Sequence, residues 1–491
     1  MYTPIRPLLL ICSVLLSSIA STQVELGEFH TVKINSPEKA PKGHYFSQMT
    51  TIPVGDVILQ ALMISPQMSR GTRHELTTYD RNTGAVLVRN EQEWPQDRTL
   101  EKVMDWDGNI LVTSYGYDHK EKQLDLFIQV FDAATLEEKV AATNIGRLSL
   151  ASYTEGYKLG LRFAVSPDDN KLLMFYDRIR TKDEQQLVIC WVLDRSTGNI
   201  WSGGYPMDVE SDVYATTGFL VDDEGAVHMA SRQKVKFRRE GQWITNHSYS
   251  IYRFQGEEKV ERKFDLPEGK VIVGMTLIQD KGKVIGAGFL ANDARNKETT
   301  DVFKMVFSPG AEAGVDLDVH RLSSSVPGSI SNISTAIADD GTLFVTGGDR
   351  RFTPSQESDN VVACAIDDSG LRYSTLIPRK PVLQYYSNPE HLTVTDGSTA
   401  IVLLPDHQDN LEAYRSGGKL KENKDHEVEV VQVTFDPNGR PTYSRLALPG
   451  FKVLYDDALV MPDQRTVYFN YAKEQVGKKE TVNHKLFWSL K

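Results

Sequence analysis

The chain has 491 residues, 40% hydrophobic and 25% charged, with 66 acidic residues against 55 Lys and Arg, for a net charge of −11. That acidity argues against nucleic acid or an anionic lipid surface as the main partner, because both demand a net basic face. Three cysteines with no Cys-x-x-Cys or Cys-x-x-Cys-His spacing exclude a disulfide framework, a cysteine-based zinc site and haem attachment.

In chain order, the first segment carries Arg6 and then an apolar run over residues 7–20 that ends Ser18-Ile19-Ala20. This pattern predicts a secretory signal over residues 1–20, with cleavage after Ala20, since the run is too short for a spanning helix. Cys12 sits inside the run behind Ile11, which argues against lipidation. The expected mature protein is secreted or periplasmic, at the cell envelope, with no membrane span and two cysteines, Cys190 and Cys364, both in apolar runs that read as separate buried thiols.

Residues 24–34 read as a strand with no sequence-local partner. After it comes a recurring hairpin: an apolar strand, a tight turn of Asp, Gly, Asn or Pro, and a second apolar strand. The turns fall at Val54-Gly55-Asp56, Asp107-Gly108, Pro167-Asp168-Asp169-Asn170, Asp223-Glu224-Gly225, Asp280-Lys281-Gly282, Asp339-Asp340-Gly341, Asp396-Gly397 and Pro462-Asp463-Gln464. Asp-Gly turns between strands mark hairpins because a tight turn needs positive φ. A second hairpin follows in most units, turning at Asp80-Arg81-Asn82-Thr83-Gly84, Asp132-Ala133-Ala134, Asp194-Arg195-Ser196-Thr197-Gly198, Gln255-Gly256, Ser308-Pro309-Gly310, Asp367-Asp368-Ser369-Gly370 and Asp436-Pro437-Asn438-Gly439.

Two hairpins make a four-stranded antiparallel sheet that buries both faces only when packed between neighbours around an axis. The pattern predicts an all-β, eight-bladed β-propeller in one domain, residues 21–491. The last unit is one strand short, and the strand at 24–34 is expected to complete it, removing an open edge.

Val165-Ser166-Pro167-Asp168-Asp169-Asn170-Lys171-Leu172 and Met461-Pro462-Asp463-Gln464-Arg465-Thr466-Val467-Tyr468-Phe469 resemble the Ser-Pro-Asp-Gly turn of TolB-like and related propeller repeats. The resemblance implies the propeller fold and no single family. The segment from Asp194 to Trp201 is similar to the docking motif of eight-bladed quinoprotein propellers, with its Trp one residue early. The equivalent turn from Asp80 to Leu87 lacks the Trp, and no adjacent-cysteine pair is present. Trp201 is expected to pack on an outer strand, and no cofactor is expected.

Turns within hairpins share one face of a propeller, so the longer connections emerge on the other: residues 118–123, 178–186, 234–248, 292–300, 349–360, 406–427 and 472–483. Binding residues concentrate on such loops. An acid followed by a base recurs at the exit of second strands, at Asp118-His119, Asp177-Arg178, Asp349-Arg350 and Asp406-His407, and more loosely at Asp293-Ala294-Arg295. With Tyr117 and Tyr176, and with Tyr115, Tyr205, Tyr385 and Tyr386 nearby, these residues form a candidate rim for a charged or sugar-like ligand; the simpler alternative is that each Asp caps its loop and pairs locally. No His-x-x-x-His or calcium-loop spacing occurs, so no metal is expected, and no Gly-x-Ser-x-Gly elbow appears. The sequons at Asn246 and Asn332 matter only in a eukaryotic source.

Two functions remain. The first is a non-catalytic scaffold, expected as a monomer, binding a protein or glycan through its long-loop face. The second is a carbohydrate- or peptide-active hydrolase or lyase with carboxylates gathered at the axis.

Overall fold

Strand formation follows from period-two alternation. In Gln123–Asp132, Leu124, Leu126, Ile128 and Val130 are buried while the residues between them are half-buried, as expected of a strand wedged between two sheets. The computed structural model describes residues 27–34, 42, 44–66, 73–92, 98–118, 120–149, 161–178, 185–195, 198, 200–210, 214–239, 242–292, 298–307, 314–326, 330–349, 360–379, 391–407, 409–421, 428–445, 452–453, 459–460, 466–474 and 481–490. The signal segment 1–20 and the turns at 308–310 and 462–464 lie outside them.

The described strands form seven four-stranded antiparallel sheets, each built from consecutive strands, and an eighth of different composition. The first seven begin with the leading strands His44–Val54, Arg98–Trp106, Arg162–Val165, Tyr214–Val221, Val271–Asp280, Ile330–Ile337 and Leu392–Thr395. In the eighth, Thr481–Leu490 pairs on one side with Thr466–Glu474 and on the other with Gly27–Lys33, in a register that sets Gly27 against Leu490 and Lys33 against His484. Among the described residues, no helix is long and apolar enough to cross a membrane.

The core lies between sheets. Buried clusters join each of the first six sheets to the next: Trp191 of the third sheet packs with Trp106 and Leu124 of the second, and Phe289 of the fifth with Ile330 and Val345 of the sixth. Val32 and Ile34 cluster with Ile58 and Tyr79, which sets the amino-terminal strand against the first sheet. Successive leading strands also touch one another, and most of their residues are only half-buried, whereas second strands such as Lys283–Ala291 are buried nearly throughout. Sheets stacked side by side with their leading strands inward are the β-propeller arrangement.

Turn chemistry explains the Asp-rich hairpins. Asp107 and Gly108 both have positive φ (56° and 69°), as do Lys281 and Gly282 (49° and 74°), the signature of the two-residue hairpin turn. The Asp heading four of the second turns satisfies backbone N–H groups: Asp80 Oδ1 accepts from Thr83 N at 2.7 Å, Asp132 Oδ1 from Ala134 N at 2.9 Å, Asp367 Oδ1 from Ser369 N at 2.7 Å and Asp436 Oδ1 from Asn438 N at 2.9 Å. Turns of neighbouring sheets are also tied together. Gly55 N donates to Asp105 Oδ2 at 3.2 Å, Asp168 N to Asp223 Oδ1 at 2.9 Å, Asp223 N to Gln279 Oε1 at 3.1 Å, and Asp339 N to the Gly397 carbonyl at 2.8 Å.

One expectation is corrected. Residues 234–239 and 242–248, read as part of a loop, are strand: Val227–Arg239 and Gln242–Gln255 stay in register from Val227↔Phe254 to Arg239↔Gln242. The flanking strands stop pairing at Gln233 and Tyr249, so the hairpin continues as a two-stranded ribbon. Cys190 and Cys364 are both buried free thiols, as the apolar runs imply, and burial pushes both upward in pKa. Trp201 lies on the outermost strand of the third sheet, half-buried, with Nε1 donating to the Gly225 carbonyl at 3.2 Å.

Candidate functional site

The hairpin turns lie at one end of the strands and the longer connections at the other. At this long-loop end, several acids pair with bases from other strands. Asp177 meets Arg162 at 2.6 Å; Asp125 meets Arg147 at 2.7 Å; buried Glu75 meets Arg89 at 2.7 Å. Arg162 itself lies over Phe175 and Phe219, 4.7 and 4.8 Å from the ring centroids. Lys270 reaches Asn292 Oδ1 at 2.5 Å and pairs with buried Asp301.

Asp118 is exposed at the end of its strand, and its Oδ1 accepts from Lys120 N at 2.8 Å and Glu121 N at 3.2 Å. Those two backbone donors hold its pKa below the usual carboxylate value. Tyr117 is half-buried and Tyr176 buried, both in the cluster between the second and third sheets, where Tyr115 also packs. Buried Tyr205 donates its hydroxyl to the Gly256 carbonyl at 2.5 Å. Arg178 and Asp349 end their strands, described here by backbone only, while His119, Arg350, Tyr385 and Tyr386 lie outside the described residues. Of the rim residues described with their side chains, Asp118 serves its own loop, Asp177 pairs with a neighbouring strand, and Tyr117 and Tyr176 pack between sheets.

In the seventh sheet, Asp406 is fully buried and His407 nearly so. Asp406 Oδ1 accepts from His407 N at 2.7 Å and Asn410 Nδ2 at 2.8 Å, and Oδ2 accepts from the Tyr414 hydroxyl. Asn410 and Tyr414 come from a short helix, Asn410–Ser416, inside the connection that the sequence presents as a plain loop. Asn410 also clamps the far end of that loop, its Oδ1 accepting from Lys421 N at 2.7 Å. Tyr414 stacks on Tyr443, with centroids 4.4 Å apart. Burial, then the Asp406 charge, raises the Tyr414 hydroxyl far above its ordinary value, so it stays a donor. Asp409 N donates to His407 Nδ1 at 3.1 Å, completing the turn into the helix.

Sequence reasoning missed the polar layer beneath this loop. His391, buried, bonds Thr346 Oγ1 at 2.9 Å, and Thr346 and Thr393 share a hydroxyl contact at 2.5 Å. Burial, followed by the charge of Arg379, pushes His391 down to about 4. Among the described residues, no group of three or more His, Cys, Asp or Glu is placed to hold a metal ion.

The leading strands carry a second group of interest. Five of them bear a register shift near the long-loop end, between Phe46 and Gln48, Leu100 and Lys102, Thr216 and Gly218, Ile272 and Gly274, and Ser331 and Ile333. Such bulges bend a strand and re-aim its side chains. In the second sheet the extra residue is Glu101. Burial raises its pKa and lowers that of neighbouring Lys102, whose Nζ lies 4.9 Å from the centre of the Phe163 ring on the next leading strand.

No protein-family model and no curated protein matches the chain. Solved structures do show similarity. The β-propeller domain of the Trilobed protease from Pyrococcus furiosus is 12% identical with a TM-score of 0.37, covering 83% of this chain and 96% of that one. Polysaccharide lyase Uly1 is 9% identical with a TM-score of 0.43, covering 93% of each. Porphyromonas gingivalis dipeptidyl peptidase 4 is 10% identical with a TM-score of 0.43, covering 89% of this chain and 57% of that one.

Proposed function

We propose that the eight sheets are the blades of one closed ring spanning residues 21–491, exported behind a cleaved signal at 1–20. In this reading the monomer binds a protein or glycan, at the envelope or outside the cell, through its long-loop face. Asp406 carries the reading: a fully buried carboxylate holds the helix at Asn410–Ser416 in one geometry through side-chain and backbone donors. An ordered loop on a rigid scaffold is pre-organised for binding, with less ordering entropy left to lose. The rim residues Asp118, His119, Asp177, Arg178, Asp349, Arg350, Asp406 and His407, with Tyr117 and Tyr176, act in this reading mainly by shaping the loops that meet the partner.

The test replaces residues 409–421 with a Gly-Ser linker of equal length and, separately, changes Asp396→Ala on the turn face. Both proteins are assayed on a mixed glycan array and by cross-linking to envelope extract. Retention is expected to fall at least about tenfold, ~1.4 kcal/mol, in the linker protein and to persist in the turn-face variant. The opposite pattern refutes the reading.

Glu101 favours the alternative, an axial hydrolase or lyase, because it sits at a bulge of a leading strand and burial raises its pKa in the direction a general acid requires. Polysaccharide or peptide turnover by the wild-type chain that Glu101→Gln abolishes would establish it.

A further inference from the structure

The ribbon that extends the fourth sheet is chemically unlike the rest of this acidic chain. Between residues 232 and 247 the sequence has five basic residues, Arg232, Lys234, Lys236, Arg238 and Arg239, and a single acid, Glu240. The register pairs Lys234 with His247, Lys236 with Thr245 and Arg238 with Trp243. Directly opposed residues of an antiparallel pair share a face, as do residues two apart along a strand. The register therefore sets Lys234, Lys236 and Arg238 at successive positions of one face, with His247, Thr245 and Trp243 at the positions opposite.

The ribbon is firmly rooted. At its base, Arg232 pairs with buried Tyr249, whose hydroxyl accepts from Ile272 N of the fifth sheet at 3.1 Å, and Arg232 Nη1 donates to the Ile272 carbonyl at 3.4 Å. Lys234 above it is exposed. His247 is held below its ordinary pKa by burial and then by the charges of Arg232 and Lys234. Residues 234–239 extend the row by roughly 20 Å beyond the four-stranded part.

We propose that this ribbon is the recognition element of the long-loop face and that its partner is an acidic polysaccharide. The inference rests on the binding reading above and names the partner's chemistry. Cations at every second residue, about 6.6 Å apart, suit an extended polymer bearing regularly repeated carboxylate or sulfate groups. Lys and Arg make charge-assisted hydrogen bonds to such groups, and a flat amphipathic ring offers a surface to the apolar face of a sugar. A row that pairs cations with rings matches a chain that alternates acidic groups with sugar faces better than it matches an acidic protein surface. The competing explanation is edge protection, since charged side chains blunt exposed strand edges.

The experiment measures binding of the full chain to polygalacturonate, heparin, neutral dextran and poly-L-glutamate. The proteins compared are the wild type, the triple variant Lys234→Gln/Lys236→Gln/Arg238→Gln, and Trp243→Ala. The wild type is expected to bind at least one acidic polysaccharide, at least about tenfold more tightly than dextran or poly-L-glutamate, with affinity falling as salt rises. Both variants are expected to weaken that binding, the triple variant by about tenfold or more, while staying monomeric with unchanged melting temperature.

The proposal is overturned if neither acidic polysaccharide binds, if poly-L-glutamate binds as tightly, or if the triple variant binds normally. Should the triple variant aggregate, Trp243→Ala decides, since it keeps every edge charge, and unchanged polysaccharide binding then refutes the proposal. A chain that ignores acidic polysaccharides but still loses another partner when residues 409–421 are replaced refutes the ribbon's role alone. Insensitivity to that replacement refutes the broader reading instead.

Discussion

His74 and His391 are buried imidazoles, each pushed down to about 4, by burial alone for His74 and by burial and then the Arg379 charge for His391. An imidazole with a folded pKa below its unfolded value near 6.5 takes up its proton more readily once the chain unfolds. Stability contributed by the neutral form is therefore complete above pH 6.5 and is lost as pH falls toward 4. Each group lets stability drop by up to ~1.4 kcal/mol per pH unit inside that window. Denaturant titrations at pH 7, 6, 5 and 4 are expected to show this slope, and the double variant His74→Gln/His391→Gln is expected to flatten it. An equally steep profile in the variant would assign the loss to other groups.

At the scale of single elements, the tightest constraint lies between two strands of the fifth sheet. A Cβ on Gly288 would sit 2.1 Å from the Gly274 carbonyl oxygen and 2.8 Å from Met275 Cα, so backbone would have to move. Gly288→Ala is expected to destabilise by about 3 kcal/mol or more, at the upper end of overpacking costs. Gly204→Ala, at a position with nothing within 4 Å of the new Cβ, is expected to be neutral or slightly stabilising by thermal melt.

Elements also differ in how far the chain announces them. Asp107-Gly108 and Lys281-Gly282 are legible as turns because the requirement for positive φ is local. The partner of Asp177 is not, since register across strands, rather than adjacency, brings Arg162 to it. The ribbon was hidden by its charge: Lys234-Val235-Lys236-Phe237-Arg238 alternates as a strand should, yet its composition reads as loop. The helix at Asn410–Ser416 is short enough that its one periodic cue, Asn410 and Tyr414 both reaching Asp406, emerges only from the contacts.

At the scale of the molecule, the proposed ring depends on the strand Gly27–Lys33 lying between the last sheet and the first. It pairs with Thr481–Leu490, and Val32 packs against Ile58 and Tyr79. Deleting residues 21–34 would expose the outward edge of Thr481–Leu490 and part of the first sheet's core. The truncated chain is expected to melt well below the chain that keeps them and to form concentration-dependent aggregates in light scattering. A truncated chain with unaltered melting and solubility would show that the ring does not need this strand.

That strand also has a history within each molecule. On a ribosome adding about 5–20 residues per second, Gly27 is made roughly half a minute to a minute and a half before Leu490, its partner in register. Through that interval the intermediate sheets can fold by neighbour contacts while the earliest segment waits with its hydrogen-bonding groups uncommitted. Maturation is thus timed by the carboxyl terminus, and any factor that shields the nascent chain has its most persistent target at the opposite end.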